Sequence, residues 1–388
     1  MSISSWNYPT AMVVGEGALE NLPDACQKAG MRRPLLVTDP GIAALPMTKQ
    51  VMTLCQQSGF EATLFSDIQG NPTGQNVEDG NRAFIAGNHD GVIAFGGGSA
   101  LDCAKAIALS AQQSRSLWDF EDVGDNWMLA NEERIAPVVA IPTTAGTGSE
   151  VGRASVITNE QEKRKIIIFH PAMVPQQVIL DPTLTVGLPA HITAATGMDA
   201  LSHNLEGLCS PFYHPMAEGI AIEGIRLVKN FLPIAVENGA DIEARTQMLV
   251  ASSMGATAFQ KGLGAMHAIA HSLGALYNSH HGLLNAILMP YVLNANREQI
   301  EEKMTRLARY LDLDIQESGT DTVLNWVLAL RKSVGIPHTL AEIGLSDEDA
   351  ELVGSMALHD PSAGGNPISF TATQYSQLFS DAVNGNGV

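Results

Sequence analysis

Residues 91–109 read GVIAFGGGSALDCAKAIAL, an apolar run that ends in three glycines and gives way to helical periodicity. Residues 91–95 predict a buried strand, 99–109 predict a helix, and Gly96-Gly97-Gly98 form a turn whose backbone can approach a ligand closely. The start of a helix carries free N–H groups and a partial positive charge, so a pyrophosphate fits above this turn. The spacing is not the GxGxxG dinucleotide fingerprint, and a plain tight turn is the alternative.

Outward from this unit the pattern repeats. Further strands are predicted at 34–38, 62–65, 138–141 and 178–180, with helical periodicity at 48–58 and 74–86. Strands alternating with helices mark a parallel sheet, which places ligands at the carboxyl ends of its strands. A second loop, PTTAGTGSE at 142–150, follows the strand at 138–141 and offers hydroxyls and backbone donors to the same crevice. Asp39 ends the strand at 34–38, where a carboxylate accepts from an adenosine ribose and repels a 2′-phosphate, favouring NAD(H) over NADP(H). The alternative for Asp39 is a turn residue within Asp-Pro-Gly.

After Leu188-Pro189 the strands stop, and helices are predicted at 190–208, 215–236, 242–259, 264–277, 283–294, 297–311 and 319–334. The expected architecture is an α/β N-terminal dinucleotide-binding domain, residues 1–185, with a parallel sheet and flanking helices. An all-α C-terminal metal and substrate domain, residues 186–388, follows it. Two domains suit a chain of 388 residues, and the cleft between them is the expected active site.

Hydrophobic residues make up 45% and charged residues 16%, a composition that folds rather than staying disordered. The formal net charge of -19 repels phosphate backbones, so nucleic acid is not an expected partner. No stretch has the length and apolarity of a membrane span, and the first 30 residues lack the form of a secretory signal, so a cytoplasmic protein is expected. Cys26, Cys55, Cys103 and Cys209 are scattered without CxxC pairing, as in a reducing compartment.

Two stretches of the second half carry metal chemistry: MDALSHNLE at 198–206 and GLGAMHAIAHSLGALYNSHHG at 262–282. Asp199 and His203, four apart, share one face of a helix. His267 and His271 do the same on the next, and the turn Tyr277-Asn278-Ser279 leads to a bend bearing His280 and His281. A nitrogen and oxygen donor set without cysteine suits Fe²⁺ or Zn²⁺. Spacing alone does not choose between His280 and His281.

Taken together, GGGSALDCAK, IPTTAGTGSEV, LPAHITAATGMDALSH and GLGAMHAIAHSLGALYNSHHG resemble the iron-containing (group III) alcohol dehydrogenase family of the dehydroquinate synthase-like superfamily, in order and over nearly the whole chain. The resemblance implies an NAD(H)-dependent alcohol dehydrogenase or aldehyde reductase of short-chain alcohols, using Fe²⁺, Zn²⁺ or another divalent metal. Hydride would leave an alkoxide held on that metal. It also implies a homodimer or larger homo-oligomer. Carried over by position, the metal ligands are Asp199, His203, His267 and His281, and His271 is a catalytic proton relay. The implied cofactor contacts are Asp39, Asn71, Gly97, Gly98, Ser99, Asp102, Thr143, Thr144, Ser149 and Lys165, the last of these in the charged run Glu162-Lys163-Arg164-Lys165 where solvated lysines are ordinary.

Lys261, just before His267, and Arg153 depart from the pattern for simple neutral alcohols. They resemble a hydroxy-acid-oxidising branch, in which they would pair the carboxylate of an ω-hydroxy acid such as 4-hydroxybutyrate; the alternative is a pair of solvated or interdomain cations. Three competing functions are a dehydroquinate synthase-like lyase, a glycerol dehydrogenase-type polyol oxidoreductase, and a non-catalytic protein with a structural metal clip.

Overall fold

The computed structural model describes residues 10–388. Its strands are β1 (Ala11–Val14), β2 (Pro34–Val37), β3 (Thr63–Phe65), β4 (Gly91–Gly96), β5 (Val138–Pro142), β6 (Ala154–Asn159), β7 (Arg164–Phe169) and β8 (Gln177–Leu180). Six of them form a parallel sheet in the order β1-β8-β5-β4-β2-β3. Strand β4 is buried at all six positions, which is why it reads as an uninterrupted apolar run rather than an alternating one. Helices α1 (Leu22–Lys28), α2 (Pro40–Ala43), α3 (Pro46–Gln57), α4 (Gly74–Ala86) and α5 (Gly98–Ser110) lie between these strands in the chain.

From β2 the chain moves outward to β3, whereas from β4 it moves the other way to β5. The carboxyl ends of β2 and β4 are therefore the switch point of the sheet, where a crevice opens. Asp39 follows β2 and the glycine turn follows β4, so topology brings the two together.

Three strands escaped the sequence reading. All four residues of β1 are exposed, so its AMVV carries no burial pattern. The antiparallel hairpin of β6 and β7 was hidden by the charged run, which spans its turn and enters β7.

The chain divides into two units, one holding residues 10–144 and 148–187, the other 188–388 together with Ala145–Thr147. The division falls between Gly187 and Leu188, two residues beyond the expected boundary, and the middle of the 142–150 loop belongs with the helices.

The second unit contains α6 (Ala190–Cys209), α7 (Pro215–Glu237), α8 (Ile242–Ala258), α9 (Ala265–Tyr277), α10 (His281–Ala295), α11 (Arg297–Tyr310), α12 (Gly319–Ser333), α13 (Ala350–His359) and α14 (Ala372–Asn384). The last two were not anticipated. Helix α6 is buried on every side over its last thirteen residues, the mark of a central helix. Its apolar residues Met198, Leu201, Leu205 and Leu208 join the same core as Val228 of α7, Met248 of α8 and Ile287 of α10. Among the described residues no helix is long and apolar enough to cross a membrane.

Candidate metal centre and cofactor crevice

Asp199 and His203 project from α6, His267 from α9, and His281 from the first residue of α10. One ligand atom from each lies within 4.8 Å of the others. The rings of His203 and His267 stack at 4.7 Å, and those of His267 and His281 stand 5.3 Å apart. His281 opens a helix rather than riding a bend. The bend is only Asn278, in the left-handed region at φ 51°, followed by His280, whose Nδ1 accepts from Leu283 N and caps α10.

A histidine binds a cation through a nitrogen that carries no proton, so the tautomer decides whether this cluster fits a metal. His203 Nδ1 lies 3.2 Å from Gly146 O, a pure acceptor, so Nδ1 donates and Nε2 keeps its lone pair. His267 Nδ1 lies 2.6 Å from Glu206 Oε2, so Nδ1 carries a proton and Nε2 is the nitrogen that the neutral ring offers to a cation. Burial also disfavours the charged form of His203 and pushes its pKa down to about 4. Burial works against a charged His267 too, but the neighbouring carboxylate of Glu206 outweighs it and the net direction is up. Asp199 Oδ1 and the unprotonated imidazole nitrogens make a donor set that fits Fe²⁺ or Zn²⁺.

Asn285, one turn after His281, was missed, although it shares the i,i+4 spacing that paired Asp199 with His203. Its Nδ2 donates to Asp199 Oδ1 at 2.8 Å and stands 3.2 Å from His267 Nε2 and 3.1 Å from His281 Nε2. His271 stacks on His281 at 5.3 Å, and its Nδ1 is 3.0 Å from Asp360 Oδ2. Asp360 carries no local sequence signal, because the pairing spans 89 residues.

In the α/β unit, Gly96 has φ +140°, and a Cβ there would stand 2.8 Å from Ala100 Cβ. Gly97 is the N-cap of α5 and supplies no side-chain cap, leaving the first N–H groups of Gly98 and Ser99 to a ligand. Thr38 Oγ1 and Thr143 Oγ1, at the ends of β2 and β5, are buried without a hydrogen-bond partner. Two orphaned hydroxyls flanking an uncapped helix start fit a nucleotide. Thr144 adjoins Gly97, within 3.4 Å of where a Cβ would be. Asp39 is the turn residue of one reading, its Oδ1 accepting from Ile42 N and capping α2, while its Oδ2 faces the Gly96 turn.

Asn71, in the left-handed region at φ 55°, receives Lys165 Nζ on its Oδ1 at 2.8 Å and lies 3.4 Å from Ser99 Oγ through its own N–H. Lys165 is therefore not a solvated member of the charged run. Asp102 and Ser149 are spent on each other instead. Ser149 Oγ donates to Asp102 Oδ1 at 2.5 Å, and Asp102 Oδ2 accepts from Val156 N. Beside them Lys105, fully buried and with its pKa lowered by desolvation, donates to Ser149 O and Ala154 O. These three residues pin α5 to the hairpin.

Lys261 does not offer its charge to a substrate. Its side chain is wholly buried, and Nζ donates to Leu208 O at 3.0 Å, Ser210 O at 2.7 Å and Glu218 Oε1 at 2.8 Å. An ammonium has three hydrogens, and all are committed, two to carbonyls at the end of α6 and one to Glu218 of α7. Arg153 lies over the Phe169 ring at 5.5 Å. The four cysteines are buried free thiols, whose pKa burial raises.

A nucleotide crevice in one unit and a histidine-carboxylate cluster in the other are the parts of a metal-dependent dinucleotide oxidoreductase. Residues 9–182 match the iron-containing alcohol dehydrogenase model, and 193–383 match the C-terminal model of the Fe-containing alcohol dehydrogenase family. The chain belongs to the iron-containing alcohol dehydrogenase family. It is 34% identical to the NAD-dependent methanol dehydrogenase of Bacillus methanolicus, covering 98% of this chain and 100% of that one. It is also 34% identical to the 4-hydroxybutyrate dehydrogenase of Cupriavidus necator, covering 97% and 99%. A crystal structure of a 1,3-propanediol oxidoreductase superposes with a TM-score of 0.93 at 33% identity, covering 98% and 100%. The family uses NAD and iron, and the chain is an NAD-dependent, metal-dependent alcohol oxidoreductase.

Proposed function

We propose that the chain interconverts neutral short-chain primary alcohols and their aldehydes with NAD(H), using Asp199, His203, His267 and His281 to hold the catalytic cation. The convergence of those four ligand atoms within 4.8 Å is the observation that carries the reading. A divalent cation held there supplies Lewis acidity toward the oxygen of alcohol or aldehyde. Asp199 offsets one of its charges, and the imidazoles leave it acidic enough for that task.

The remaining work belongs to the chain. His271, its Nδ1 held by Asp360, has Nε2 available to take the alcohol proton and return it in the reverse reaction. Phe259, with its ring 5.1 Å from that of His203, shields the cluster from water on one side. Gly97, Gly98 and Ser99 receive the pyrophosphate, Thr143 and Thr144 line the same crevice, Asp39 takes the ribose, and Lys165 holds Asn71 in place. Asp102 and Ser149 act on the cofactor through the backbone they fix. Past Thr144 the loop reaches Gly146, whose carbonyl sets the tautomer of His203.

A neutral substrate follows from the committed ammonium of Lys261 and from the seat of Arg153 on Phe169. The name of one relative keeps 4-hydroxybutyrate in the comparison. Rates with NAD⁺ across ethanol, butanol, 1,3-propanediol and 4-hydroxybutyrate test it: kcat/KM for butanol is expected to exceed that for the hydroxy acid, and the opposite order would return a cation to the pocket. We also place the protein in the cytoplasm as a homodimer or larger assembly. The exposed apolar residues Met12, Val13 and Val14 on edge strand β1 support association, and a monomer mass by light scattering would remove it.

A further inference from the structure

We propose that Glu206 is the positioning residue of the metal centre, holding His267 in the tautomer that presents Nε2 to the cation. The inference rests on the metal site proposed above. Glu206 lies on α6, one turn beyond His203, and is 6% exposed. Its Oε1 accepts from Met266 N at 2.8 Å, and its Oε2 accepts from Gly264 N at 2.9 Å and faces His267 Nδ1 at 2.6 Å. A carboxylate only accepts, so the short contact requires the imidazole proton on Nδ1.

The opposite end of the ring agrees with this. Asn285 Nδ2 is fixed as a donor by its bond to Asp199 Oδ1, and its second hydrogen faces His267 Nε2 at 3.2 Å and His281 Nε2 at 3.1 Å, an environment that favours a lone pair on both nitrogens. Glu206 thus specifies the Nδ1 end of His267, and Asn285 favours a lone pair at the other. One carboxylate joins the two metal-bearing helices, anchored to α6 and seated on the first N–H groups of α9, where a helix favours negative charge.

A plain helix cap would look similar, since Gly264 at the N-cap of α9 has no side chain to offer. Asn366 provides the contrast. Its Oδ1 accepts from Ala265 N at 3.1 Å, so it caps the same helix start without touching His267. Glu206→Gln keeps the shape of the side chain but removes its charge and one of its acceptor oxygens. Asn366→Ala removes a cap and leaves His267 alone.

The experiment is Co²⁺ affinity of chelated protein, by competition with a chromophoric chelator, for the native chain, E206Q and N366A. It is read with the ¹⁵N spectrum of the histidines in native metal-free protein. E206Q is expected to weaken Co²⁺ binding by about 10 to 100-fold, the usual size for a hydrogen-bond partner of a ligand. N366A should stay within about threefold of native, and His267 should carry its proton on Nδ1. Equal losses in the two variants, native affinity in E206Q, or a proton on Nε2 would overturn the proposal. Should E206Q not fold, the native ¹⁵N spectrum alone decides. If the native chain bound no Co²⁺, the metal reading itself would fall, an outcome distinct from a native chain that binds Co²⁺ and an E206Q variant that binds it equally well.

Discussion

His281 Nε2 stands 3.8 Å from Asp199 Oδ1 because α10 meets α6 at a glycine. A Cβ on Gly282 would lie 2.6 Å from Ala195 O and 3.1 Å from Asp199 Cβ. The ligands can converge only while that position has no side chain.

Gly282→Ala therefore forces the two helices apart. Overpacking against backbone costs about 1–3 kcal/mol, and the gain of up to about 1 kcal/mol from helix propensity does not offset it. The variant should melt lower than native and bind Co²⁺ more weakly. Unchanged affinity would mean that the convergence does not depend on this contact.

Asn285→Ala should act mainly on the metal-free protein. There the amide donates to Asp199 and faces two imidazole lone pairs, groups that a bound cation would otherwise satisfy. Losing a buried donor costs about 1–3 kcal/mol. The rise in melting temperature on adding Zn²⁺ is expected to be larger in the variant than in the native chain. An identical rise would show that Asn285 keeps all its bonds when metal is present.

Asp39→Asn keeps the cap on Ile42 N but removes the charge that repels a 2′-phosphate. The preference for NAD⁺ over NADP⁺ in kcat/KM should fall by about tenfold or more, roughly 1.4 kcal/mol. A preference unmoved by the substitution would assign discrimination to another residue.

Acid sensitivity has a named source at Glu301. Burial pushes its carboxyl up, but hydrogen bonds from Thr320 Oγ1 and N, Gly319 N and Thr305 Oγ1 outweigh it and bring its pKa down to about 2. Because the folded value lies below the unfolded one, its contribution is full above about pH 4.5 and is lost as pH falls toward about 2. In urea unfolding of metal-free protein, the gap between native and Glu301→Gln should be widest near neutrality and close across that window. A gap independent of pH would show that the charge plays no part.

Much of the site was legible because its signals are local. Asp199 and His203 are one turn apart, and the glycine turn directly follows its strand, so periodicity alone paired residues that the structure brings together. What stayed hidden depends on distance along the chain. The hydrogen-bond partners Gly146 and Asp360 lie 57 and 89 residues from the histidines they orient. The seat of Lys261 was hidden for the same reason, since the carbonyls of Leu208 and Ser210 around its Nζ lie 53 and 51 residues away. Strand β1 is exposed along its whole length and lacks the buried alternation that marks a strand, the hairpin alternates but is interrupted by the charged run at its turn, and Lys165 took on meaning only with Asn71 beside it.

The most direct test is NADH formation from butanol by chelated protein before and after one equivalent of Fe²⁺ or Zn²⁺ per chain, added without oxygen. Turnover should be absent from the chelated protein and return with the metal in the native chain, and it should not return in His267→Ala. Full turnover by a chain shown to contain no metal would contradict the account.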